Sequence, residues 1–394
     1  MYHYAYILVG RFHLMPPKQR GEELKKIVKS VRDGTFEYDS KKPVKTDWAQ
    51  YDQAQIYEMI NYLNNIRDLV NLADKRIKER TPPRKRGPGR PPTDPANVAK
   101  TLLLQTYLES SNRLAEGFLL LFQEKLGISS SFSYKTIERG YDRDRVNEIL
   151  DEIIVITNES VEGKEETFSF DGTGFSASNK ENYANKRQKQ NSNNRNKKAK
   201  SASSVEKDPA YDSFPESNLT GTKKGFSYAV MGVGVQHKLI SGISISPNHS
   251  VGETTMFPEA FDQTLNCHPN PDSVLGDGIY GCRWITNLVS ENNATPYFLP
   301  RSNVTFKSKG ALGWYYMLYS LWKDPQEWLE NYHMRSISET VNSMVKCRFG
   351  APLRKKLDSR KETETRLKLV GHNIRRVGYL EILGDVVPHW RGCT

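Results

Sequence analysis

From Thr167 the hydrophobic period of this chain switches to two, and the switch separates a mostly helical first part from an α/β second part. Up to about residue 160 apolar residues recur near every third or fourth position. From Thr167, Phe168 and Phe170 alternate with Ser169 and Asp171, the two-residue period of a strand. Further strands are expected at 226–235, 238–245, 273–275 and 297–299, with helices at 253–264 and 280–290 between the later ones. Strands followed by β-α-β-α define an α/β domain.

In the first part, Trp48, Tyr51, Ile56, Met59, Ile60, Leu63, Ile66, Val70 and Leu72 predict a helical element over 46–79, with Asp47 as cap. Residues 1–13 are a strand candidate and 39–44 a loop. The region 1–80 as a whole, mostly helical, carries no assignable function. Between Thr81 and Pro92 five prolines remove donors and fix φ, so this stretch is neither helix nor central strand. It is an extended basic linker over 81–95. Arg84, Lys85, Arg86 and the Gly89-Arg90-Pro91 core look like an AT-hook, whose arginine lies in the minor groove of A/T-rich DNA. A plain linker that happens to be basic has the same composition.

Beyond the linker, 96–160 reads as two helices, 98–107 and 112–126, a Ser-rich turn, and a third helix from 134 to 150 carrying Arg139, Arg143 and Arg145. Short helix, turn and basic helix outline a helix-turn-helix DNA reader, although DNA-free three-helix bundles share that outline. Residues 176–224 interrupt the α/β part with an Asn-, Lys- and Ser-rich run that includes Lys186 and Arg187. That composition favours a mobile basic loop suited to clamping DNA.

The 57 Lys and Arg against 46 Asp and Glu give the 394-residue chain a net charge of +11. Such an excess favours a polyanionic partner. No apolar run approaches the length of a signal h-region or the ~18 residues of a membrane span, so a soluble cytoplasmic protein is expected. Cys267, Cys282, Cys347 and Cys393 form no C-x-x-C pair, which argues against a zinc knuckle or a disulfide framework. They are read as reduced bystanders.

Three carboxylates carry the chemistry. Asp171 is read as ending the strand 167–170, before Gly172-Thr173-Gly174, and Asp277 as ending the strand 273–276, before Gly278. Ligands of open α/β sheets bind at such strand ends, although Asp-Gly is also a common turn dipeptide. The third lies in the run 331–346. There Tyr332, Arg335, Glu339, Asn342 and Lys346 share one face of an expected helix, with Ile337, Val341, Met344 and Val345 behind them. An ordinary surface helix with an i,i+4 ion pair shows the same pattern. With the two aspartates, Glu339 completes an oxygen-only set suited to Mg²⁺, with Mn²⁺ as a substitute. Two such ions activate the attacking oxygen and stabilise the leaving oxygen of an in-line phosphoryl displacement. Arg335 and Lys346 are placed to hold phosphates, and Tyr332 to stack on or hydrogen-bond a nucleic acid end.

Here the chain resembles the DDE transposases of prokaryotic insertion sequences. Tyr332, Arg335, Glu339 and Lys346 match the Tyr-x2-Arg-x3-Glu-x6-Lys motif at every position. Phe170-Asp171-Gly172-Thr173 and Leu275-Gly276-Asp277-Gly278-Ile279-Tyr280 look like the two aspartate motifs, and Leu299-Pro300-Arg301 also fits. The likeness spans roughly residues 95–380. It implies a ribonuclease-H-like (retroviral-integrase-like) catalytic domain with a mixed five-stranded sheet over 161–350, preceded by a helical DNA-binding region. It implies metal-dependent cleavage at the ends of a mobile element and attack of the freed 3′-OH on target DNA. The expected partners are double-stranded DNA at element ends and target, and a second copy in a homodimer; no organic cofactor is expected. The gap from Asp277 to Glu339 is too short for the large β-strand insertion that supports a hairpin intermediate in some members, so hairpin chemistry is not carried over. A basic C-terminal helix at 362–383 and its approach, with Arg354, Lys355, Lys356, Arg360, Lys361, Arg366, Lys368, Arg375 and Arg376, are expected to contact phosphates. A catalytically silent DNA-binding descendant and a metal-dependent nuclease without strand transfer are the alternative functions.

Overall fold

The computed structural model describes residues 17–37, 47–81, 93–176, 226–247 and 251–391. Helices α1 (Pro17–Arg32), α2 (Trp48–Ile56), α3 (Glu58–Arg80), α4 (Pro95–Tyr107), α5 (Asn112–Phe122), α6 (Tyr134–Gly140) and α7 (Asp144–Glu159) precede the first strand. Then follow β1 (Thr167–Ser176), β2 (Phe226–Gly234), β3 (Ile240–Ser246), α8 (Glu253–Cys267), β4 (Ser273–Gly276), α9 (Arg283–Glu291) and β5 (Thr295–Phe298). The chain closes with α10 (Leu312–Lys323), α11 (Pro325–Tyr332), a 3₁₀ turn (His333–Arg335), α12 (Ser336–Phe349) and α13 (Asp358–Leu383).

The five strands form one mixed sheet in the order β3-β2-β1-β4-β5. β1 pairs antiparallel with β2 and β2 with β3, whereas β1–β4 and β4–β5 are parallel. Alternation along the strands sends side chains to two different cores. Phe168, Phe170, Val230 and Val274 join Phe257 and Phe261 of α8 on one face. Phe175, Ala229, Met231 and Val233 join α3, α4, α7, α12 and α13 on the other. With both faces covered, all four residues of β4 are buried, as a sheet between helical layers requires. Gly242 of β3 lets α8 approach closely, since a Cβ there would stand 1.9 Å from the Ala260 carbonyl oxygen.

Several elements depart from the sequence reading. The expected helix over 46–79 is two, divided at Tyr57, because the Glu58 carboxylate turns to accept from Tyr107, Arg348 and Arg375 and pins the start of α3. The expected helix over 134–150 is also two. Between α6 and α7, buried Tyr141 donates to Gln105 Oε1 at 3.0 Å and Arg143 donates to the Thr93 carbonyl at 2.9 Å. Helix α1 was not foreseen, although Leu24, Ile27, Val28 and Val31 hold helical spacing and seat it against the Phe257 core.

α13 is a core helix and not a solvated cationic rod. His372 and Asn373 are buried within it, and its cations are engaged by the fold. Arg360 pairs with Glu138 and Asp142, Arg366 with Asp151, and Arg375 with Glu58. Helices α3 to α7, the sheet and α13 thus share a single apolar cluster running from Tyr62 to Trp390. Among the described residues no helix is long and apolar enough to cross a membrane.

Candidate active site

Two adjacent parallel strands set the site. The β1–β4 register ends at Phe170 opposite Gly276. Asp171 and Asp277 are therefore the next residues on neighbouring backbones about 4.8 Å apart. Strand alternation puts both on the side away from Phe170. β1 does not end at Asp171, as expected from Gly172-Thr173-Gly174, but runs on to Ser176 against β2. The parallel pairing alone stops there, and that opens the crevice.

α12 lies over this face in step with β1. Ser169 Oγ donates to the Arg335 carbonyl at 2.9 Å and meets Ser338 Oγ at 3.0 Å. Two residues along the strand and four along the helix, Asn342 Nδ2 donates to Asp171 Oδ2 at 2.7 Å. A two-residue strand step of about 6.7 Å and a four-residue helix step of about 6 Å nearly coincide, so the contacts recur. Further on, the long Lys346 side chain places its ammonium 5.7 Å from the Phe175 ring centre.

The stripe expected on one helix is assembled from three elements. Tyr332 closes α11, Arg335 sits in the 3₁₀ turn, and only Glu339, Asn342 and Lys346 belong to α12. Tyr332 is 4 % exposed, stacked on Trp328 at 5.2 Å, so it is a core ring and not a free stacking surface for DNA. It supports the Arg335 guanidinium, 5.4 Å above its ring. Arg335 in turn donates to Glu339 Oε1 at 2.7 Å.

Burial, together with the nearby Glu253 and Glu339 carboxylates, pushes the Asp171 carboxyl up to about 6. Burial pulls the Lys346 ammonium down from its usual value, and Asp171 partly restores it. Asp277 is exposed, its Oδ1 capped by the Gly278 amide at 2.6 Å. It lines an open cavity of about 650 Å³ together with Arg32, Arg301 and Asn303. Arg301 thus stands beside the second aspartate. Arg32 holds the cavity wall from α1, donating to the Pro300 carbonyl at 2.9 Å.

Glu253 and Tyr228 were missed by the sequence reading, and Tyr280 entered it only as the last residue of the second aspartate motif. Glu253, in the first turn of α8, accepts from the Tyr228 hydroxyl and from the Tyr280 hydroxyl at 3.2 Å. Gly172 makes room for it, because a Cβ there would lie 2.6 Å from the Glu253 carboxyl carbon.

Among the described residues, no three His, Cys, Asp or Glu side chains stand close enough to hold a metal ion as placed. The donors nonetheless suit a hard cation. Asp171 carries like-charge repulsion that a cation would relieve, and the buried Asn342 Oδ1 has no hydrogen-bond partner among the described residues, which leaves it an acceptor for a cation-bound water.

Over 274 residues the chain is 25% identical to a "probable transposase for insertion sequence element ISA1214" from Archaeoglobus fulgidus. The match covers 69% of this chain and 71% of that protein. No family model and no solved structure matches the chain.

The remaining sequence-predicted DNA contacts are scattered. Arg139 and Lys356 are exposed; Arg143 is half-buried on Thr93. Lys355 is half-buried too, donating to Asn112 Oδ1 at 2.7 Å. Arg84, Lys85, Arg86, Arg90, Lys186 and Arg187 lie outside the described residues, as does Cys393. Cys267, Cys282 and Cys347 are free thiols.

Proposed function

We propose that this protein is a DNA transposase with a ribonuclease-H-like catalytic domain, cleaving DNA at the ends of an insertion sequence and transferring the 3′-OH to target DNA. The reading is carried by the register that sets Asp171 and Asp277 side by side beyond the last parallel β1–β4 pair. The likeness to an insertion-sequence transposase over two thirds of the chain supports it. So does the strand order, with two antiparallel pairs followed by two parallel ones.

Mg²⁺ bound between the carboxylates would supply Lewis-acid activation of the attacking and leaving oxygens. Asp171 and Asp277 would hold it, joined by Glu339 once that side chain leaves Arg335. Asn342 orients the Asp171 carboxylate, and Lys346 and the released Arg335 face the phosphate. Arg301 and Arg32, flanking Asp277, offer cations for the DNA backbone on the open side. A homodimer on paired ends belongs to the same proposal.

The test is incubation of the purified chain with the DNA flanking its own gene and Mg²⁺. Nicks at the element ends followed by joined products are expected. Cleavage without joining would assign a nuclease, and binding without either a silent descendant.

A further inference from the structure

A second cavity, of about 460 Å³, lies where α4, α5 and the α12–α13 connection meet, its walls including Ser110, Asn112, Tyr141, Arg354, Lys355 and Lys368. That volume is in the range of ligand pockets. None of these residues belongs to the carboxylate site. Phe175 stands between the two places: the ammonium groups of Lys346 and Lys368 each lie 5.7 Å from its ring centre.

Donors converge here without enough acceptors. Lys368 is 3 % exposed, and its ammonium gives two of its three N–H groups to the Gly350 and Pro352 carbonyls. The Lys355 ammonium gives one to Asn112 Oδ1 and sits 3.9 Å over the Tyr141 ring. The hydroxyl of Ser110, a residue 5 % exposed, has no hydrogen-bond partner among the described residues. Immediately after it, Ser111 caps the N-terminus of α5, whose first-turn amides have no helical carbonyl to bond. The acids in the wall are already matched. Glu364 accepts the Arg354 and Lys355 backbone amides at 2.9 to 3.0 Å, and Glu109 faces Arg354. Burial pulls both lysines down to about 8, and the Glu364 carboxylate partly restores each of them.

We propose that this cavity binds a phosphate group, held by Lys355, Lys368, the Ser110 hydroxyl and the N-terminus of α5. A backbone phosphate of bound DNA and free inorganic phosphate present the same oxygens to these donors, and the cavity opens one ring away from Lys346.

The test is calorimetric titration of the full chain with inorganic phosphate. Saturable binding is expected, weakened about tenfold or more by Lys355→Gln, as befits loss of a charge-assisted bond. Ser110→Ala, which removes a single unpartnered atom, should weaken it as well while leaving the melting temperature unchanged. Lys356→Gln, at the exposed neighbour, should leave it intact. Absence of saturable binding, or equal loss from Lys356→Gln, overturns the proposal. Repeating the titration with duplex DNA present separates the sources: displacement of phosphate assigns the site to the DNA backbone, and undisturbed binding assigns it to the free anion. Both results uphold a phosphate site, and neither depends on whether the chain cleaves DNA.

Discussion

Asp171 is the residue on which folding and proposed chemistry pull in opposite directions. Its folded value of about 6 lies above the ordinary 3.8, so ionisation opposes folding. Stability from this group is fully present below about pH 4 and is lost as pH rises through 6. Asp171→Asn keeps an acceptor for Asn342 and removes the charge. The variant should therefore melt higher than the wild type at pH 8, by about 2 °C, and at the same temperature as the wild type at pH 4, which calorimetric scans at the two pH values would measure. A shift that is the same at both would refute the burial and repulsion assigned to Asp171. The same burial made the residue legible only in part. Its place before Gly172-Thr173-Gly174 marks a site candidate, but the neighbours that perturb it come from elsewhere. Glu253 opens a helix whose approach to β1 depends on the missing side chain at Gly172, a relation that no local pattern carries.

At the scale of elements, period and composition located all five strands, because a strand in this sheet must alternate or be wholly apolar. The helices were less legible. α10, with its run Trp314-Tyr315-Tyr316-Met317-Leu318-Tyr319, presents no clean polar face. The stripe from Tyr332 to Lys346 kept helical spacing across a 3₁₀ turn, and no Pro or Gly marks the break. It still brought Arg335 to Glu339, because a 3₁₀ turn between two helices preserves the direction of the chain over three residues. Packing, by contrast, makes sharp demands. Gly242→Ala would place a methyl group against the rigid backbone of α8, not a side chain that can swing aside. It should destabilise the protein by about 3 kcal/mol, at the upper end for overpacking, measured as a shift in the denaturant midpoint. A change under about 0.5 kcal/mol would show that α8 is not seated on β3 as described.

For the whole molecule, net positive charge is a poor guide to where DNA lies, since many of the cations are internal struts. Arg375 is tied to Glu58, together with Arg348, and joins α13 to α3. Arg375→Ala should cost about 1 to 2 kcal/mol of stability through the half-unpaired carboxylate, with the salt dependence of DNA binding unchanged. Lys356→Ala should do the reverse: stability within about 0.5 kcal/mol, and a slope of log affinity against log salt smaller by about 1. Unfolding curves and binding isotherms at several salt concentrations separate the two. Sequence alone could not sort these residues, because exposure is decided by the packing of α13 into a core that its charged composition conceals.

In the proposed reaction two aspartates on neighbouring parallel strands act together on a DNA phosphate. Asp277 is exposed, and among the described residues its side chain is hydrogen-bonded to the adjacent Gly278 amide alone, so its removal should leave the fold unchanged. The decisive measurement compares wild type and Asp277→Ala for Mg²⁺-dependent cleavage of DNA carrying the element's ends, with binding to the same DNA measured in parallel. Cleavage by the wild type, none by the variant and equal binding by both is the predicted result; undiminished cleavage by Asp277→Ala would contradict it.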